Sequence, residues 1–142
     1  MIDWKIKEMF FDSKAVTSAV DAGVRRVLSK FGAFVRQAAR SSIRRRKAAS
    51  QPGSPPSGHV GTLKRLIFFG YDTANRSVVI GPAPFRSVVE APPLLEYGGT
   101  ASRKDRRGRS RRVTYKARPF MAPALQKELP KLLPMWGNSV RK

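Results

Sequence analysis

Apolar residues recur along the first third of the chain at a helical interval. Between Lys14 and about Arg46 they fall at Val16, Val20, Val24, Val27, Phe31, Phe34 and Ala38, a spacing that puts them on one stripe of an α-helix. Leu28, Val35 and Ala39 widen the stripe. It predicts a long helix with one face on a core. Asp12 or Ser13 would cap it, since short side-chain oxygens suit the first unpaired N–H groups. Gly23 and Gly32 interrupt the helix at a cost of about 1 kcal/mol each in propensity, which close packing against another element would offset. Ahead of the helix, Trp4 to Phe11 partly alternates and predicts a short strand.

The period then changes. Leu63 to Tyr71 is rich in β-branched and aromatic residues, Asp72-Thr73-Ala74-Asn75 carries turn chemistry, and Ser77 to Ile80 returns. That order predicts a β-hairpin. Its consecutive apolar residues predict cover on both faces, by the long helix on one and by a neighbouring subunit on the other. Gly81-Pro82-Ala83-Pro84 is expected to break the strand, and Phe85 to Glu90 has no period. Ala91 to Tyr97 predicts a short helix. Pro92 and Pro93 start it, where a missing N–H costs little, and Gly98 and Gly99 end it. Gly99 to Lys116 reads as a second hairpin with its tip at Asp105-Arg106-Arg107-Gly108. A last helix is expected from Pro119 to about Leu129, with a kink at Pro130. Beyond it come the apolar patch Leu132, Leu133, Met135 and Trp136 and a frayed end, Gly137 to Lys142. Residues 48–61 are rich in Ser, Pro and Gly with no apolar anchor, and read as a flexible loop. The loop holds His59, the one histidine, expected to be exposed. The class is α+β in a single domain, residues 1–142. A long N-terminal helix packs on a small antiparallel β-sheet, with a protruding basic hairpin at 101–117 and a C-terminal helix.

Charge adds a partner to this picture. The chain has 142 residues, with 29 Lys and Arg against 9 Asp and Glu, a formal net charge of +20. That excess implies a polyanion or acidic neighbours in an assembly. Cations concentrate in two places. Arg44, Arg45, Arg46 and Lys47 close the long helix, where the helix dipole favours a cation by a few tenths to about 1 kcal/mol. The dipole accounts for one or two of the four. The stretch Arg103 to Arg118 carries nine basic residues and one acid, Asp105. Ordered segments bracket it, so a projecting arm is expected rather than a tail. The candidates for contact with DNA or an acidic partner are Arg44, Arg45, Arg46, Lys47, Arg106, Arg107, Arg109, Arg111 and Arg112.

Other chemistry is not legible. The chain has no cysteine, hence no disulfide or thiolate site. No apolar run is long enough to span a membrane. The N-terminus lacks the order of a signal peptide, so the protein is expected to stay in a cytoplasm until something carries it out. The acids are scattered, with no metal-ligand spacing and no phosphate-cradling glycine motif. No enzymatic activity, cofactor or metal is expected.

Two motifs bracket the basic arm: Glu96-Tyr97-Gly98-Gly99-Thr100, and Arg118-Pro119-Phe120-Met121-Ala122-Pro123-Ala124. Together they resemble the phage neck and tail-completion proteins of the minor-tail-protein-Z-like kind, in which motifs like these flank an insert of variable length. The resemblance reaches back to Gly61-Thr62-Leu63-Lys64 and fits the long helix, so it covers most of the chain. The two motifs are its specific part; Gly99 and the very basic insert depart from the family pattern. It implies a structural virion protein, a homo-oligomeric ring that is hexameric in preference to dodecameric. Such a ring joins the head connector to the tail tube, at the neck or tail-terminator position, with DNA in its lumen and no sequence readout. Its location would be the neck/tail junction of the virion, after assembly in the host cytoplasm. Glu96 is expected to make a salt bridge or a helix-end hydrogen bond, and Phe120 to be buried. Charge alone fits equally a sequence-nonspecific nucleic-acid-binding module of ribosomal or chromatin type. Against that alternative, no zinc finger, recognition helix or RNA-binding sheet motif is legible.

Overall fold

The computed structural model describes residues 12–83, 91–137 and 139. The strand expected over Trp4 to Phe11, the stretch Phe85 to Glu90 and most of the chain end beyond Gly137 lie outside the described residues. Helix α1 (Ser13–Ser42) has 30 residues, and the Asp12 carboxylate caps it by accepting the Ala15 N–H at 3.0 Å. Its buried face is Gly23, Val27, Phe31, Gly32, Val35, Ala38 and Ala39. Val16, Val20 and Phe34, placed on the core stripe by periodicity, are exposed. The elements that form the core pack along the later turns of α1, so the first two valines reach past them. Phe34 instead lies beneath the ammonium groups of Lys30 and Lys131, 6.0 and 5.5 Å from its ring centre.

The helix also stops earlier than its cations suggested. Ile43 turns extended and is buried. Arg44–Arg45 then forms a short strand, β1, paired in parallel with β2 (Ser57–Gly58). Extended backbone at Ile43 frees Arg44 and Arg45 to pair with Ser57 and Gly58 while Ile43 itself stays in the core. Arg44 to Lys47 therefore lie outside the last helical turn.

Leu63 to Arg65, expected to open the first strand, instead belong to a helical turn, α2 (Thr62–Arg65), which brings Leu63 onto the core. Strand β3 runs Ile67–Asp72 and pairs antiparallel with β4 (Ser77–Pro82). Pro82, expected to break the strand, stays in the ladder opposite Ile67. An edge strand tolerates the missing N–H, and Ala83 adds one more bond to the Leu66 carbonyl at 2.8 Å. One face of this hairpin lies on α1. A Cβ on Gly32 would come within 2.7 Å of Val78 Cγ2 and 3.0 Å of Phe69 Cδ2, so only glycine permits this approach. Arg36 of α1 donates to the Ile67 carbonyl at 2.8 Å. The other face, expected to meet a neighbouring subunit, is exposed in the single chain, with Phe68 50% and Val79 65% exposed.

The remaining elements are α3 (Ala91–Tyr97), the second antiparallel hairpin β5 (Gly99–Lys104) and β6 (Ser110–Tyr115), and α4 (Met121–Glu128). At Pro130 the helix tightens into a 3-10 turn, Leu129–Lys131, before α5 (Leu132–Trp136). The architecture is α+β: a long N-terminal helix, small β-sheets and C-terminal helices. The core is Phe31, Val35, Ala38, Ala39 and Ile43 from α1 and its end, Ile67 from β3, and Phe120 and Ala124 from α4 and its cap. Leu132 and Met135 pack against it, whereas Leu133 and Trp136 face outward.

Candidate functional site

An α-helix begins with four backbone N–H groups that have no partner within it. In α4 these belong to Phe120, Met121, Ala122 and position 123. The Glu96 carboxylate takes three of them: Oε2 accepts from Phe120 at 2.9 Å and Met121 at 3.0 Å, and Oε1 from Ala122 at 2.8 Å. The fourth position is Pro123, which has no N–H to satisfy. One side chain of the first motif thus completes the helix start of the second, and its negative charge complements the positive end of the helix dipole. Of the two roles expected for Glu96, the helix-end hydrogen bond is the one it plays. The Arg118 N–H adds a bond to the Leu95 carbonyl at 2.6 Å.

Gly98 lets the chain leave this clamp. Its φ of +73° is left-handed, and a Cβ there would stand 3.0 Å from both the Tyr115 carbonyl oxygen and the Ala117 nitrogen. Strand β6 can therefore exit directly over it. Phe120, 1% exposed, fills the core beneath. Tyr97 points the other way, 82% exposed. Most of the motif serves as scaffold, and Tyr97 and Thr100 are its outward residues.

On that scaffold stands the basic hairpin. Its one acid is spent on its own turn: Asp105 Oδ1 accepts from the N–H groups of Arg107 at 2.8 Å and Arg109 at 2.9 Å. Register places Arg103 opposite Arg111 and Ser102 opposite Arg112. Like charges directly opposite oppose pairing, and an anion between them would relieve that. Arg103, Lys104, Arg106, Arg111 and Arg112 line a cleft of about 560 Å³, while Arg107 and Arg109 occupy the turn outside it. Arg103 and Lys104 are additions to the sequence candidates. Strand register reveals them, because it depends on where the turn closes.

The second cluster divides. Arg44 and Arg46 line a separate cleft of about 660 Å³. Arg45 donates to the His59 carbonyl at 3.2 Å, as alternation along a strand requires. Lys47 is exposed and lines neither cleft. His59 is exposed, as expected. The proline-rich loop has an anchor that composition did not suggest, because Pro56 is buried. It is also tied to the second motif, through Gly53 N–H to the Ala117 carbonyl at 2.9 Å and Arg118 Nε to the Ser50 carbonyl at 2.9 Å.

Among the described residues the ion pairs are Arg76–Asp21 and Lys131–Glu128, and neither uses a candidate cation. Also among these residues, no cluster of acids or histidine could hold a metal, and no helix is long and apolar enough to cross a membrane. Comparisons of the chain with protein-family models, with curated proteins and with solved structures find no match.

Proposed function

We propose that this chain is a ring-forming structural subunit of the neck or tail-completion region of a tailed phage. It would join the head connector to the tail tube, with DNA passing through the ring without sequence readout. The observation that carries the reading is the Glu96 clamp, in which the two motifs of the resemblance meet as one structural unit and present the intervening insert as an arm. The arm's cations make no ion pair among the described residues, so its charge is available to a polyanion or an acidic neighbour. Complementary charge of this kind speeds encounter and fixes register. The open face of Phe68 and Val79 and the outward Leu133 and Trp136 offer apolar surface to a neighbouring subunit, as closed head-to-tail rings require.

The test is complementation of a phage lacking the protein, with Arg106, Arg107, Arg109, Arg111 and Arg112 changed to Gln. Normal heads and tails that fail to join are the expected result, with rings of the parent protein visible by cryo-electron microscopy beside its neck partners. Full infectious yield from the neutralised arm, or a chain that stays monomeric with those partners present, overturns the proposal. Tight, salt-resistant, sequence-selective binding would instead mark a nucleic-acid-binding module.

A further inference from the structure

The outward face of the first hairpin alternates side chains with bare backbone. It consists of Phe68, Gly70 and Asp72 on β3 and Ser77, Val79 and Gly81 on β4. Register sets Phe68 opposite Gly81 and Val79 opposite Gly70, so each apolar side chain stands across from a glycine. Glycine inside a strand weakens it, and often marks a place where another backbone or a ligand comes close. The chain itself needs neither glycine. Neither has a positive φ, and a Cβ at either would meet no atom of the described residues within 4 Å. Phe68 is among those residues, so Gly81 is not shielded by the aromatic ring across from it.

A second exposed apolar surface lies on the C-terminal helices. Leu125, Leu129, Leu133 and Trp136 are exposed and recur at helical spacing. Their stripe runs beside the column of Ala124, Leu132 and Met135 that faces the core. Exposed apolar residues that cluster rather than scatter mark interaction surfaces. Charge selects the occupant. Neither surface contributes a cation, in a chain with 29 of them, so neither suits DNA or an acidic protein. The one charged residue on the hairpin's outward face is an acid, Asp72. It complements a strongly positive partner, and a copy of this chain carries +20.

We infer that the helical stripe of one copy packs on the outward hairpin face of the next, with Leu133 and Trp136 seated over the bare positions Gly70 and Gly81. Two different patches that meet in this way form a head-to-tail contact, which repeats into a ring or an open filament. One such contact covers both surfaces, whereas a twofold pairing of either with itself leaves the other bare. Closure into a ring rests on the proposed function; the pairing of the two surfaces does not.

The chain has no cysteine, so an introduced disulfide can report the contact. Gly70→Cys chains are mixed with Leu133→Cys chains and oxidised at about 1 M salt, where the Debye length is about 3 Å and repulsion between copies is screened. Linked pairs containing one of each are expected, and the doubly substituted chain should give a ladder of linked copies. Ser102→Cys, on the basic arm, is the control and should link to neither. Equal linking by the control, or Gly70→Cys linked mainly to itself, overturns the inference. So does a link within one chain between Trp4→Cys and Gly70→Cys in place of links between copies, which would give the face to the chain's own start. Association present at low salt and lost at about 1 M would mean bridging by an acidic molecule and also overturns it.

Sedimentation and melting of single variants supply a second readout. Valine suits a strand better than glycine and has room at position 70. Gly70→Val should therefore keep or raise Tm while weakening self-association about tenfold, the scale of an overpacked contact. Leu133→Ser should weaken association by a similar factor with Tm unchanged, because Leu133 is already 81% exposed in the single chain. A fall in Tm that parallels the loss of association would make Gly70 a structural glycine and overturn the contact. Closed rings whose copies do not link through positions 70 and 133 overturn this contact and keep the ring. Copies that link as expected but form only open chains, or rings that do not join heads to tails, remove the proposed function and uphold the contact.

Discussion

The two hairpins have the same plan and opposite fates. Each pairs two six-residue strands in antiparallel register. Each turn is opened by an aspartate that accepts backbone N–H groups, Asp72 from Ala74 and Asn75, and Asp105 from Arg107 and Arg109. They differ in what alternates along the strands. In β3–β4 one face presents Ile67, Phe69, Val78 and Ile80, and it lies on α1. In β5–β6 apolar character is confined to Ala101, Val113 and Tyr115 near the base, and arginines occupy the outer half. A two-stranded ribbon is marginal alone. The first is stabilised by the helix it covers, and the second by its seat on α3 and the Glu96 clamp. The same local geometry thus becomes a core layer or an arm according to which side chains it carries.

Removing the seat that both hairpins share should have the largest effect. Phe120→Ala is expected to destabilise the chain by about 3–5 kcal/mol, as for other buried aromatic truncations. A thermal melt like the parent's would refute its place in the core. Glu96→Ala strikes the second hairpin's support alone. It leaves three helix N–H groups without their charged acceptor, so a loss of about 2–4 kcal/mol is expected. Amide exchange should rise first at Phe120, Met121 and Ala122, with β3–β4 still protected; uniform exchange would deny the clamp a local role. Gly32→Ala is the reciprocal change. Overpacking against Val78 costs about 1–3 kcal/mol, and the better helix former returns about 1. A net loss near 1 kcal/mol is expected, felt at β3–β4 and absent from β5–β6, and a stabilised variant would mean that the contact is loose.

Charge removal on the arm should barely alter stability. Changing Arg106, Arg107, Arg109, Arg111 and Arg112 to Gln is expected to change it by about 0.5 kcal/mol or less per site, and a large drop in Tm would show that the arm has a packed role. The smallest effect concerns the first turn. The Asn75 side-chain amide, with the Asn75 and Ala74 N–H groups, holds the Asp72 carboxyl below the usual carboxylate range. A depressed folded pKa contributes stability that is present above the unfolded value, about 3.9, and is lost as pH falls through the lower folded value. Slight acid loosening of β3–β4 below about pH 4 is expected. Asp72→Asn should remove it, and an unchanged pH profile would show that the turn does not depend on that charge.

Period carried much of this fold. The 3.6-residue stripe located α1, the β-branched and aromatic run with its Asp72 turn located the first hairpin, and the Asp105-Arg106-Arg107-Gly108 tip between two ordered motifs located the second. Proline and glycine marked α3 and the kink after α4. The misplaced details share a cause. Val16 and Val20 obey the stripe as well as Phe31 does, but periodicity states which residues share a face and not how far the partner extends along it. Arg44 to Arg46 read as a helix end, but Arg44 and Arg45 pair with Ser57 and Gly58, a partner that lies a dozen residues on and leaves no local pattern. Leu63 belonged by composition to a strand and is spent on a turn that brings it inward.

For the candidate sites the division is sharper. The sequence by itself determined the excess of cations, their two clusters and the two motifs around the arm, because these are contiguous. Only the tertiary structure decided that Glu96 reaches across 24 residues of chain to start α4, that Arg103 faces Arg111, and that Arg44 and Arg46 part company with Arg45 to line a separate cleft. Each of these depends on strand register or on the meeting of distant segments. Such placement is set by the summed packing of the whole chain and has no local signature.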